Sequence, residues 1–332
     1  MRLNKYIVLL ACLACLLSCQ RIPLHDPDSG VYLKLELKLN VDVAVPAAID
    51  LSRHPDLAAK VNISKPQTVH VCFYDPETHK LVAEDFLEGE GGFVHLSPGE
   101  YDMIVYGLGN EVTQVDGTET RGAARAFTSA LGTRVKVTKA EAEEQQTEFD
   151  VIYEPDHLLV GRKERVTIPV HAADEGSVIV IDDEMETLLE TYAFSMPNVS
   201  GVENLKSVDI YITGQAPSRY LWDKHYPSRA VAIQFSGVLD AEDGGISSVF
   251  NTFGKFPDIR SQVYLYMMFT GEGGQQYQYV QDVTEQFNNP DNSGHEIVID
   301  EPIEIPEGGG GEAGFNPTVS DWQVEVIDIP ID

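Results

Sequence analysis

The chain has 332 residues, 43% of them apolar, and carries a formal charge of −30 from 53 acidic against 23 basic side chains. That apolar content excludes a disordered chain, and the length allows about two domains. So acidic a surface repels phosphates and anionic lipid head groups, which argues against nucleic acid as a partner and against a chain lying flat on a membrane.

Arg2 and Lys5 precede an apolar run over residues 6–17. The run is too short to cross a bilayer, which needs roughly 20 residues, but it suits the core of a signal peptide. It ends in Leu16-Leu17-Ser18-Cys19, which resembles a bacterial lipobox: an aliphatic residue, a small residue, then the thiol that takes the lipid. Residues 1–18 are therefore expected to be a lipoprotein signal peptide and Cys19 the lipidated residue. Each buried lipid CH2 contributes roughly 0.8 kcal/mol, so several acyl chains make a lasting anchor. Residues 19–30, broken by Pro23 and Pro27, read as a tether.

Residues 31–43 place an apolar side chain at every odd position, the pattern of a strand with one buried face. Residues 44–66 read as irregular. Strands follow at 69–74, 80–87, 93–96 and 101–108, with turns at Asp75-Pro76 and Ser97-Pro98-Gly99. Residues 110–130, rich in Thr, Gly, Ala and Arg, read as a long loop, and short strands follow at 147–153 and 158–160. A second series begins with strands at 166–170 and 177–181 and a short helix at 185–194. Strands at 205–213, 230–238, 261–270 and 276–283 come next, then a helical turn near 282–287. A strand at 295–305 is interrupted by Pro302. The glycine run 308–311 leads to a last strand at 322–331. Many short strands with turn chemistry between them predict an all-β chain of two tandem β-sandwiches, at 31–160 and 161–332.

Chemistry is sparse. Cys72 is the one cysteine after Cys19, and on a strand it reads as a small buried residue. The histidines are dispersed, and none stands out as a metal ligand. Nucleophile elbow, zinc-protease and phosphate-loop signatures are absent from the sequence. Asn289-Pro-Asp-Asn-Ser-Gly294 lacks the closing glutamate of a calcium loop and reads as a turn. The acidic clusters at 141–144 and 182–186 read as solvated surface. No catalytic residue, cofactor or metal ligand is therefore expected, and the chain is not expected to be an enzyme. Tyr264, Tyr266, Phe269, Tyr277 and Tyr279 read as core or cross-strand pairs, while Tyr220 and Trp222 are candidate sugar contacts.

Several stretches carry a family resemblance. They are the lipobox with Arg21-Ile-Pro-Leu-His-Asp-Pro-Asp28, then Phe73-Tyr-Asp-Pro-Glu77, Ser97-Pro-Gly-Glu-Tyr-Asp-Met-Ile-Val-Tyr106 and Tyr153-Glu-Pro-Asp-His-Leu158. Phe250-Asn-Thr-Phe-Gly254, Asp282-Val-Thr284 and Asp321-Trp322 complete the set. Their order and spacing resemble a group of Bacteroides lipoproteins that is similar in turn to the anchor subunits of Bacteroidales fimbriae. The resemblance implies transthyretin-like sandwiches and an outer-membrane, surface-exposed location through acylated Cys19. It also implies pilin-like partners joined by strand exchange, with an adhesin or glycan-binding module as the alternative. Residues 31–43 and 322–331 are the candidate exchange strands, and Arg121, Arg125 and Arg134 mark a candidate cleavage loop.

Overall fold

The computed structural model describes residues 31–39, 55–61, 63–139, 142–169, 178–223, 229–240, 244–257, 262–292, 295–305 and 322–328. Cys19, the leader, the tether and the glycine run at 308–311 lie outside the described residues.

Strands dominate, so the expected all-β class holds. In chain order the first are β1 (Val31–Leu39), β2 (Thr68–Tyr74), β3 (Leu81–Glu88), β4 (Gly91–Leu96), β5 (Gly99–Leu108), β6 (Gln114–Asp116), β7 (Arg125–Phe127), β8 (Ala130–Lys139), β9 (Ala142–Tyr153), β10 (Leu159–Ile168) and β11 (Ile179–Thr187). Seven of them close a barrel in the order β1-β11-β10-β5-β2-β3-β4. The closure is uneven: β3 meets β4 at the single pair Glu88↔Gly91 and β10 meets β11 at two, while the other seams are full ladders. The period-two rule sorts its side chains: Val69, Val71 and Phe73 of β2 enter the barrel core with Met103, Val105 and Ile181, while Cys72 and Tyr74 leave by the outer face.

The remaining strands are β12 (Glu190–Met196), β13 (Val199–Ser200), β14 (Leu205–Gln215), β15 (Ser218–Tyr220), β16 (Val231–Ser236), β17 (Val238–Asp240), β18 (Gly245–Thr252), β19 (Tyr264–Gly271), β20 (Gln276–Asp282), β21 (Glu296–Val298), β22 (Ile303–Glu304) and β23 (Trp322–Asp328). A seven-stranded sheet, β20-β19-β14-β16-β9-β8-β23, faces the four-stranded sheet β17-β18-β12-β21. Phe194, Ile210, Ile212, Phe250, Leu265 and Met267 fill the space between them. Tyr211 and Tyr266 alternate with those residues and bury on the far face, with Val135 and Val151. The sheet curls around that second cluster, bringing end strands β20 and β23 within 8 Å between Cα atoms.

A third layer joins the two units. The small sheet β15-β7-β6 lies against the barrel's outer face. There Ala124, Ala126 and Leu221 share one buried cluster with Tyr74, Ile104, Val160 and Phe253.

Three expectations are corrected. Residues 110–130 are not a structureless loop; they carry β6 and β7, whose strands are too short to show a period. Residues 44–66 include the helix α1 (Pro55–Val61), which starts on a proline suited to a first helical turn and buries Leu57 and Val61 against Ala193 and Val249. Residues 185–194 are not a helix but the end of β11, a tight turn and most of β12. Sheet membership also crosses residue 160 in both directions. β8 and β9 belong to the second unit's large sheet, whereas β10 and β11 return to close the barrel. The chain thus passes between the units three times.

Candidate functional site

Both candidate exchange strands are strands within their described residues. β1 bridges the barrel, antiparallel to β4 from Val31↔Leu96 to Glu36↔Gly91 and parallel to β11 from Leu33↔Ile179 to Leu39↔Met185. Its backbone is paired on both sides. Among the described residues β23 pairs on one side only, antiparallel to β8 from Trp322↔Lys139 to Asp328↔Thr133. It ends its sheet and presents a backbone edge toward β20 without a ladder between them.

Tyr153-Glu-Pro-Asp-His-Leu158 is the segment that carries the chain from β9 back to β10, and its three polar side chains tie the units together. Lys60 Nζ of α1 donates to Glu154 at 2.6 Å and to the Val249 carbonyl at 2.9 Å. The Asn251 N–H of β18 donates to the other Glu154 oxygen at 3.0 Å. Burial raises the Glu154 pKa, opposed by Lys60 and by the Asn251 N–H.

Asp156 accepts the N–H groups of Glu111 at 2.6 Å, Val112 at 3.4 Å and Thr113 at 2.7 Å. Its own backbone exchanges two bonds with the Thr113 hydroxyl, at 2.8 and 3.0 Å. Burial pushes this carboxyl up, but the bonds from Thr113, Glu111 and Val112 outweigh it and hold the pKa low.

His157 Nε2 meets the Lys60 carbonyl at 2.8 Å and its Nδ1 meets the Thr187 hydroxyl at 3.1 Å. A carbonyl only accepts, so Nε2 carries the proton and Nδ1 accepts from Thr187. Burial holds this imidazole's pKa down.

A groove of about 430 Å³ runs beside these residues, lined also by Asn110 and Pro66. Glu154, Asp156 and His157 are all occupied by structural bonds, so the segment works as a joint. The motif is visible in the sequence; its partners Lys60, Thr113 and Asn251 are not, because they lie tens of residues away.

The three arginines of the candidate cleavage loop are engaged. Arg121 pairs with buried Asp102 and stacks over Trp222, 4.2 Å from the ring centroid. Arg125 grips Asp116 with two bonds of 2.8 and 2.9 Å, and Arg134 meets Asp150 at 2.8 Å. Tyr264, Tyr266, Phe269 and Tyr279 are buried, as a core reading requires. Tyr220 is half-buried and lines an open cleft of about 770 Å³ with Asp116, Thr120, Arg125 and Asp223.

These features define an all-β chain of a closed barrel and a curled-sheet sandwich, bound at a polar joint. The chain belongs to the family described as a domain of unknown function, DUF5119, which matches residues 58–236. It is 22% identical, over the whole of both chains, to a Bacteroides ovatus protein described as a fimbrium anchoring subunit, Fim4B. The resemblance to fimbrial anchor subunits therefore holds. Among solved structures, a Bacteroides ovatus protein described as an adhesin is 20% identical with a TM-score of 0.55, covering 87% of this chain and 98% of that one. The fimbrial anchor protein Mfa2 of Porphyromonas gingivalis is 13% identical with a TM-score of 0.47, covering 81% of this chain and 90% of its own.

Proposed function

We propose that this chain is a lipid-anchored subunit of the cell envelope that fixes or assembles a fimbrium. The carrying observation is the similarity to Fim4B, which spans the length of both chains. Acylated Cys19 would hold the N-terminus in the outer membrane, and the acidic domains would stand off the lipid surface. Pilin-like subunits would join by strand addition, in which main-chain hydrogen bonds supply affinity and alternate side chains supply specificity. The one-sided pairing of β23 supports that end of the chain as the place of contact. With Cys19→Ala, both this chain and the fimbriae should appear in the culture medium instead of on the cell. Fimbriae that stay cell-bound in that variant would overturn the reading.

A second reading, a glycan-binding module, is favoured by the cleft at Tyr220, where an aromatic ring stands beside a guanidinium and carboxylates. It expects saturable binding on a glycan array and a loss of about tenfold or more in affinity on Tyr220→Ala. A blank array removes it.

A further inference from the structure

Three donor side chains meet on the barrel's outer face. His70 and Cys72 stand two apart on β2 and leave it on the same side. Glu84 of β3 lies directly across from Cys72, and Tyr106 of β5 directly across from His70. His70 Nε2, Cys72 Sγ and one Glu84 oxygen all lie within 4.8 Å of one another. Nε2 is 3.0 Å from Glu84 Oε2 and 3.7 Å from Sγ. On the other side of the ring, Nδ1 is 2.6 Å from the Tyr106 hydroxyl, and Phe86 stacks over the imidazole with centroids 4.3 Å apart. His70 and Cys72 are buried, whereas the Glu84 side chain is 48% exposed and leaves a way in from solvent.

This arrangement is not a thiol–imidazole–carboxylate relay. A relay places thiol and carboxylate on opposite ring nitrogens. Here both converge on Nε2, and a phenol holds Nδ1. Burial also pushes the Cys72 thiol up to about 12, the wrong direction for a nucleophile. Convergence on one point is the geometry of a cage. An ion bound at roughly 2.0–2.3 Å separates tetrahedral N, O and S ligands by roughly 3.3–3.8 Å, close to the spacings already present around Nε2.

We propose that His70, Cys72 and Glu84 form a three-ligand site for a borderline-soft divalent cation of the zinc class. A mixed nitrogen, sulfur and oxygen set suits Zn2+ or Co2+ and not the all-oxygen preference of Ca2+ or Mg2+. On binding, the S–H bond breaks, the sulfur takes the ion as thiolate, and the proton leaves to solvent. The charge of the ion offsets the cost of a buried thiolate. The imidazole proton moves from Nε2 to Nδ1, where it is donated to the Tyr106 hydroxyl, an orienting contact of the kind metal-bound histidines make. Water takes the fourth position on the Glu84 side. The ion ties β2 to β3 at the margin of the core that joins the barrel to the second unit.

The test is titration of the metal-free chain with Co2+. Saturation at one equivalent is expected, with thiolate-to-cobalt charge-transfer absorption in the near ultraviolet and the intense visible bands of a tetrahedral site. Cys72→Ser should abolish the charge-transfer band, and Zn2+ should displace the cobalt and raise the melting temperature. Because Glu84 is half-exposed, Glu84→Gln should fold normally and bind about tenfold more weakly or worse. A band that persists in Cys72→Ser, unchanged affinity in Glu84→Gln, or no charge-transfer band at all each overturns the site.

Discussion

Asp156→Ala is expected to remove about 3 kcal/mol of folding stability at neutral pH, measured by urea denaturation. Its carboxylate accepts three N–H groups from residues 111–113, which fix the start of the segment that leads to β6. Hydrogen bonds to a charged acceptor contribute roughly 1.5–3 kcal/mol each, and neighbours sharing one acceptor add less than their sum. Asp156→Asn keeps the shape and loses the charge, so an intermediate loss is expected.

The effect has a pH signature. The folded-state pKa of Asp156 lies below its unfolded value of 3.8. Its contribution is therefore fully present above that value and is lost as the pH falls through the folded one. The gap between wild type and Asp156→Ala should stay constant from neutral pH to the upper end of the carboxylate range and then close on further acidification. A gap that holds unchanged well below the unfolded value would show that the charge is not what stabilises the loop.

Arg121→Ala is expected to cost about 3–5 kcal/mol, the usual penalty for stranding one partner of a buried ion pair. Asp102 is almost fully enclosed, and its remaining partner is the Arg165 N–H at 3.0 Å. Removing the guanidinium also uncovers the face of Trp222. The informative comparison is the double variant. With Asp102→Asn in place, the residue left behind is neutral, and part of the loss from Arg121→Ala should be recovered. A single-variant loss below about 1 kcal/mol, typical of exposed pairs, would mean that the pair is solvent-screened and not a fastening between the small sheet and the barrel.

Much of the strand pattern was legible because period-two alternation survives wherever one face is buried. Residues 31–43 showed it for β1, and the Gly271–Gly274 turn showed how β19 pairs with β20. The helix expected at 185–194 arose from a coincidence of packing. Met185, Leu188, Leu189 and Tyr192 fall at helical spacing, yet they bury in three different places: the barrel core, the layer between units, and the sandwich core. A segment crossing from one unit to the next can mimic a helical stripe.

The small sheet was invisible for another reason. Close packing of Ala124 and Ala126 against the barrel uses small residues, which leave no hydrophobic period. Of the donor cluster, His70-Val71-Cys72 could be read from spacing on a predicted strand. Glu84 joins it through hairpin register, and Tyr106 through a pairing 36 residues away. The Glu154, Asp156 and His157 joint was legible as a motif and illegible as a mechanism, since its partners come from α1, residues 111–113 and β18.

The threefold passage of the chain between barrel and sandwich sets how a pulling force would travel. Tension entering at the N-terminal strand and leaving through the second unit meets no lone linker to stretch. It divides among the covalent spans at 108–130, 153–159 and 187–190. Severing one span leaves two under load, with the packed layer of Tyr74, Ala126 and Phe253 resisting shear between them. Such a body answers traction as a stiff strut.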